Sequence, residues 1–110
     1  MFDTTITFIA RKIVGKDSRM KPIYDEILSE TLCVDEPVSR SEFFAASQIG
    51  INPESMVVVN PVEYHGEKIA LYNDRRMSIY RTYKRSDNEL EIYLQLAVGL
   101  NAREGGQNES

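Results

Sequence analysis

Few side chains able to perform chemistry occur in this 110-residue chain, and their spacing favours no reaction. His65 is the only histidine and Cys33 the only cysteine. One histidine supplies at most one metal ligand, and a thiol becomes reactive only beside an electropositive partner. The sequence therefore predicts an exposed turn residue at His65, next to Gly66, and a buried, inert thiol at Cys33.

Two neighbouring carboxylates, Asp35 and Glu36, are the remaining candidates for acid–base chemistry. Adjacent side chains of a strand point to opposite faces, so these two make a poor acid–base pair. The chain also lacks a nucleophile elbow, a phosphate-binding loop and a dinucleotide fingerprint. We expect no enzyme activity, no catalytic or metal-binding residue and no cofactor.

A basic segment, NDRRMSIYRTYKR, interleaves two tyrosines with a cluster of positive charges. These charges are Arg75, Arg76, Arg81, Lys84 and Arg85. Such a strand can meet phosphate or an acidic partner, or it can be a solvated hairpin face whose arginine stems cover apolar surface. We favour the second interpretation because the net charge of −4 would dilute any positive field.

The segment VSRSEFFAASQIGINPE carries start and stop signals for one short helix. Ser39 and Glu42 have the S-x-x-E spacing of a capping box. Gly50 suits the left-handed position after a helix, and the following Asn52-Pro53 prevents continuation. The predicted helix spans Arg40 to Ile49.

The apolar residues of this helix do not all share one face. At 100° per residue, Phe43, Ala46 and Ile49 form one stripe and are the expected core contacts, whereas Phe44 lies about a quarter turn away. Phe44 is therefore available to a partner, or both phenylalanines plug one end of the fold. The sequence leaves these two alternatives equal.

Alternating apolar residues on both sides of the helix predict strands, in the order β-β-α-β-β-β-β. The predicted strands are Thr4 to Val14, Glu26 to Val34, Ser55 to Tyr64, Lys68 to Tyr72, Met77 to Arg85 and Glu89 to Leu100. In the second strand Leu28, Leu32 and Val34 share a face, which Glu30 interrupts. Short connections after the helix favour an antiparallel meander.

Six strands in so short a chain predict a small, mainly β protein, an antiparallel barrel or a strongly bent sheet, because closure removes exposed strand edges. We favour the small barrel of about six strands, with the helix inserted after the second strand. We expect one domain over residues 1–100 and a flexible tail over residues 101–110, which have little to bury. The chain contains no apolar run of membrane-spanning length, and its start does not have the pattern of a signal peptide.

The chain as a whole resembles the head-closure, or head–tail adaptor, proteins of tailed phages and prophages. The resemblance runs from Phe2 to about Val98. The segments that carry it are FDTTITFIA, VSRSEFFAASQIGINPE with MVVVNPVEYHGEK, LYNDRRMSIYRTY and ELEIYLQL, in this order and spacing.

The resemblance implies a structural virion protein that forms a ring beneath the portal and its adaptor. Such a ring closes the DNA exit channel after packaging, receives the tail or tail-completion protein, and lets DNA pass without specific binding. The subunit would reside in the host cytoplasm before assembly and in the head–tail connector afterwards, away from membranes. The segment between the second and third strands, Ser39 to Ser55, would project towards the channel.

The resemblance makes this segment a candidate for gating and for contacts between subunits. Its candidate residues are Ser39, Glu42, Phe43, Phe44, Gln48, Ile49 and Ile51. The alternative function is that of a small β-barrel module that binds nucleic acid or a protein partner. The basic strand from Arg75 to Arg85 is the best support for that alternative.

Overall fold

The computed structural model describes residues 4–96, and these form a closed barrel of six antiparallel strands with one short α-helix. The strands are β1 (Thr4–Lys16), β2 (Pro22–Glu36), β3 (Ser55–Val59), β4 (Ile69–Tyr72), β5 (Arg75–Ser86) and β6 (Glu89–Leu96). The helix α1 (Arg40–Gln48) follows β2, as the sequence predicts. The end of the predicted domain and the predicted tail, residues 97–110, lie outside the described residues.

After the helix, the expected meander is present for β4, β5 and β6 but does not include β3. The order around the barrel is β1-β2-β3-β6-β5-β4, so β3 pairs with β6 and β4 pairs with β1. The predicted strand from Ser55 to Tyr64 also ends early, at Val59. There Asn60 accepts a hydrogen bond from the backbone N–H of Val62 and starts a 3-10 turn, Pro61–Glu63. The strand stops because Pro61 has no N–H to donate to the sheet.

The interior of the barrel holds the main core. Its buried members are Ile6, Phe8, Cys33, Val57, Val59, Ala70, Tyr72, Met77, Ile79, Leu90, Ile92 and Leu94. The alternation predicted for β1 and for β6 accounts for many of these residues, since inward residues recur at every second position. The predicted burial of Cys33 is confirmed.

The apolar face predicted for β2 does not line this interior. Ile6 lies opposite Thr31, so the odd-numbered residues of β2 share the inner face with β1. Leu28 and Leu32 consequently point outwards and keep 56% and 55% of their surface exposed. A shift of one residue in register exchanges the two faces of a strand. Because Thr31 is polar, the inner face of β2 lacks the apolar alternation from which the sequence prediction was made.

A second, smaller cluster lies on the outside of the barrel wall. Met56, Val58 and Tyr93 are its buried members, and Val38 and Tyr80 are among the residues packed against them. Strand β3 is therefore buried on both faces from Met56 to Val59, which explains why these residues, MVVV, are continuously apolar rather than alternating. Because Val38 leads directly into α1, this cluster marks the side of the barrel on which the helix lies.

Candidate functional site

Both ends of α1 are fixed by the residues that the sequence predicts. The Ser39 side chain accepts a hydrogen bond from the backbone N–H of Glu42 at 3.1 Å. At the other end Gly50 has a φ of +81°. The backbone N–H groups of Gly50 and Ile51 donate to the carbonyls of Ser47 and Ala46, which is the Schellman arrangement. The helix is therefore well capped despite its nine residues.

Of the predicted apolar stripe of α1, only Ala46 is buried against the barrel. Ala46 is the buried residue of the helix, whereas Phe43 and Ile49 are exposed by 47% and 74%. Their predicted role as core contacts is wrong, because the face that Glu42 and Ala46 share is the one that meets the barrel. Phe44 is 66% exposed, so neither phenylalanine plugs the barrel. Two further residues of this segment were candidates for subunit contacts: Gln48 is exposed and Ile51 is partly buried.

Glu42 ties the helix to β5 through a hydrogen-bonded network. Its carboxylate accepts hydrogen bonds from the Tyr80 hydroxyl at 2.8 Å and from the Arg81 guanidinium at 2.6 Å. The Arg81 guanidinium also stacks 4.2 Å from the centre of the Tyr93 ring. The predicted capping box is thus half correct: Ser39 caps the helix, but the Glu42 carboxylate bonds the barrel wall.

The network holds Glu42 in its charged form. Burial pushes the pKa of Glu42 upwards, but the hydrogen bonds from Arg81 and Tyr80 outweigh it, so the pKa lies below its ordinary value of 4.5. Burial, together with the hydrogen bond to Glu42, raises the pKa of Tyr80. The attachment of α1 is therefore mainly polar, with a small apolar contact at Ala46.

Beside this attachment the helix and the barrel wall leave a shallow cleft of about 180 Å³. Its walls are Ala45 and Ile49 from the helix and Tyr80 and Arg81 from β5, among other residues. The helix therefore presents apolar surface on its outer side and along this cleft, while a few contacts hold it in place.

The basic residues predicted as a surface on β5 do not form a free positive patch, because each has an acidic partner. The pairs are Arg75–Glu54 at 2.8 Å, Arg76–Glu26 at 3.3 Å, Arg81–Glu42 at 2.6 Å, Lys84–Asp87 at 3.8 Å and Arg85–Glu36 at 2.8 Å. Four of these five partners lie outside β5 and its adjoining turn. The sequence around β5 could not show them.

The guanidinium of Arg85, which lies on β5, links this strand to two others. It donates to Glu36 on β2 and to Glu91 on β6, and these bonds raise its pKa. Glu91 also accepts a hydrogen bond from the Tyr93 hydroxyl at 2.6 Å. Burial and then this hydrogen bond raise the pKa of Tyr93 to about 12. These arginines therefore serve to fasten the barrel wall.

The residues considered for catalysis are dispersed. His65 is exposed as predicted, and its Nδ1 lies 3.8 Å from the Glu67 carboxylate. Asp35 accepts a hydrogen bond from the Tyr72 hydroxyl while Glu36 binds Arg85, so the adjacent carboxylates serve different partners. Within residues 4–96, no three His, Cys, Asp or Glu side chains gather into a potential metal site.

Over the same described range, none of the helices has the length and apolar character needed to cross a membrane. Neither a scan against protein-family models nor a search of curated proteins finds a match to the chain.

Proposed function

We propose that this protein is a subunit of a ring at the head–tail connector of a tailed phage or prophage. The ring would close the DNA exit channel after packaging and would give the tail its attachment surface. The observation that carries the proposal is the exposed helix between β2 and β3. This is the position that faces the channel in the head-closure proteins that the sequence resembles.

The chemistry of the helix supports a role in assembly. Three large apolar side chains, Phe43, Phe44 and Ile49, are 47%, 66% and 74% exposed within a span of seven residues. The helix has well-formed caps but buries little apart from Ala46. Exposed apolar patches of this kind are typical of surfaces that bind other proteins. A neighbouring subunit, the portal adaptor or the tail-completion protein would cover them.

The electrostatics suit a channel through which DNA slides. The chain carries a net charge of −4, and the basic residues of β5 are engaged by carboxylates. Strand β5 therefore offers few unpaired cations to phosphate, and affinity for DNA depends mainly on those contacts. The alternative function, a barrel that binds nucleic acid, loses its best support for the same reason.

The helix is also held in a way that permits a second arrangement. The attachment consists mainly of the bonds from Glu42 to Tyr80 and Arg81, around the small contact of Ala46. In the ring, the segment from Ser39 to Ser55 would leave this position, extend inwards and meet its copies at the axis. The protein would be made in the host cytoplasm and would then join the connector.

The Phe44→Ala variant tests this proposal. Because the side chain is 66% exposed, the substitution should change the free energy of unfolding by less than about 0.5 kcal/mol. It should nevertheless reduce the retention of packaged DNA or the joining of tails when it replaces the wild-type protein during phage assembly. Val62→Ala is the matched control, since Val62 is 70% exposed and belongs to the 3-10 turn Pro61–Glu63 rather than to the helix.

Two results would count against the role of Phe44. One is normal DNA retention and tail joining with the Phe44→Ala variant. The other is a loss of about 3 kcal/mol in stability, the range of a core phenylalanine deletion, which would make Phe44 a structural residue.

A further inference from the structure

The hairpin of β1 and β2 extends beyond the barrel as an arm, here defined as residues Arg11–Leu28. Strand β1 pairs with β4 only over Thr7–Ile9, and β2 pairs with β3 only at Val34–Glu36. Within the described residues, the two strands of the arm therefore pair only with each other. None of the other described strands pairs with the outer backbone edges of the arm, and open edges are sites at which another strand can add.

The arm also exposes an unusual amount of apolar surface. Every residue from Arg11 to Glu30 is exposed. Seven large apolar side chains of the arm are between 44% and 69% exposed: Ile13, Val14, Met20, Ile23, Tyr24, Ile27 and Leu28. A two-stranded hairpin of this kind is marginally stable in water. Its composition fits a surface that another protein covers.

The charges of the arm are segregated between its two strands. The β1 part, RKIVGK, carries Arg11, Lys12 and Lys16 with no acidic residue, whereas the β2 part, PIYDEIL, carries Asp25 and Glu26 with no basic residue. Within the hairpin, Arg11 lies opposite Glu26 and Lys12 lies opposite Asp25. The β1 edge is thus basic, and the β2 edge carries two carboxylates, of which Glu26 also pairs with Arg76 of β5.

We propose that the arms of neighbouring copies pair side by side, with the basic β1 edge of one copy against the acidic β2 edge of the next. Because β1 and β2 run in opposite directions, this contact is antiparallel like the hairpin itself. Pairing of two β1 edges or of two β2 edges would instead bring like charges together, which is unfavourable. The partner that binds the arm is therefore a second copy of this chain, and the contact between the two copies is head to tail.

A head-to-tail contact repeats in one direction and closes into a ring when the rotation per subunit allows it. The tip of the arm is excluded from the contact, because β1 has a bulge between Ile13 and Gly15 and β2 begins at Pro22. The pairing segments are Arg11–Ile13 of one copy and Tyr24–Leu28 of the next. This inference deepens the proposed function and rests on ring formation, but not on the place of the ring in the virion.

The first experiment measures self-association of the purified chain by sedimentation, from micromolar to millimolar concentrations. The variant carries Ile13→Thr, Ile27→Thr and Leu28→Thr, since threonine retains strand propensity while removing apolar surface. The control is Val62→Thr, which alters an exposed apolar residue outside the arm. We expect wild type and control to associate alike, and the variant to associate more weakly by about tenfold or more.

Three outcomes would overturn the inference. They are a wild-type chain that stays monomeric throughout, a triple variant that associates as strongly as wild type, and a wild-type chain that binds anionic vesicles through the arm but does not bind itself. Unchanged circular dichroism of the triple variant would confirm that its barrel is folded.

The second experiment tests the direction of the pairing. One protein carries Lys12→Cys and another carries Asp25→Cys, and both are treated with a flexible thiol cross-linker, separately and mixed. The native Cys33 is buried, and wild type is the control. Head-to-tail pairing should give several-fold more cross-linked dimer in the mixture than in either protein alone. If one variant alone gave as much cross-linked dimer as the mixture, the pairing would be two-fold, and the inference would be contradicted.

These experiments separate the two proposals, because they require only the purified chain. If the chain associates through its arm but does not bind portal–adaptor complexes, the proposed function fails and the arm contact stands.

Discussion

Two segments leave the wall of this barrel, and they are held in different ways. The helix α1 is fastened to the wall by the Glu42 carboxylate, which binds Tyr80 and Arg81, and lies beside the outer cluster around Met56. The arm from Arg11 to Leu28 has open edges and exposed apolar side chains, although Arg76 reaches Glu26 on it. Substitutions in the polar attachment of the helix should therefore change the stability of the fold, whereas the effect of substitutions in the arm should depend on protein concentration.

The largest effect should come from the outer cluster that adjoins the helix. Met56 is 5% exposed, so Met56→Ala should lower the free energy of unfolding by about 2–5 kcal/mol. Denaturant titration measures this loss. A loss of less than about 0.5 kcal/mol, the usual effect of a surface change, would show that this outer cluster is not a genuine second core.

A smaller loss should follow from Glu42→Ala, because the hydroxyl of Tyr80 and the guanidinium of Arg81 then lose their shared acceptor. Hydrogen bonds to charged groups contribute about 1.5–3 kcal/mol, and the Glu42 side chain is only 13% exposed. The matched control is Glu54→Ala, whose partner Arg75 is 47% exposed and whose effect should stay below about 1 kcal/mol. Equal losses of stability in the two variants would show that the bonds of Glu42 to Tyr80 and Arg81 contribute no more than an ordinary surface ion pair.

Acid should weaken the same attachment. The folded-state pKa of Glu42 lies below 4.5, so its stabilising contribution is complete above that pH and is lost as the pH falls through the lowered pKa. Glu36, which Arg85 holds at a lowered pKa, behaves in the same direction. Denaturant titrations at pH values on both sides of 4.5 should show a decline that is shallower in Glu42→Gln. An identical decline in that variant would contradict the assignment.

The smallest effect on stability should come from the arm. Leu28→Thr removes a side chain that is 56% exposed, so the free energy of unfolding should change by less than about 0.5 kcal/mol in dilute solution. The same substitution should have a larger effect at concentrations where the chain associates. A large loss in dilute solution would mean that the arm packs against its own barrel.

The sequence predicted those features that depend on neighbouring residues. Alternation located the six strands, and Ser39 and Gly50 located the ends of the helix, because capping and strand periodicity are local effects. Features that depend on distant partners were not predictable in this way. The inner face of β2 follows from its register with β1, and the pairing of β3 with β6 follows from closure of the barrel.

The candidate site shows the same division. The position and caps of α1 could be predicted, but its buried face could not, because the acceptor role of Glu42 depends on Tyr80 and Arg81, which lie almost forty residues further along the chain. A glutamate at the third helical position also fits a capping box, so the local pattern pointed to the wrong partner. The open edges of the arm became visible only when the short pairing of β1 with β4 was known.

The most direct test of the proposed function is electron microscopy of the purified protein mixed with portal–adaptor complexes. We expect a ring of this chain beneath the adaptor, with the segment from Ser39 to Ser55 directed towards the axis and arms in contact between neighbouring subunits. Absence of binding to the complexes, or a ring in which that segment faces outwards, would contradict the proposed role in closing the channel.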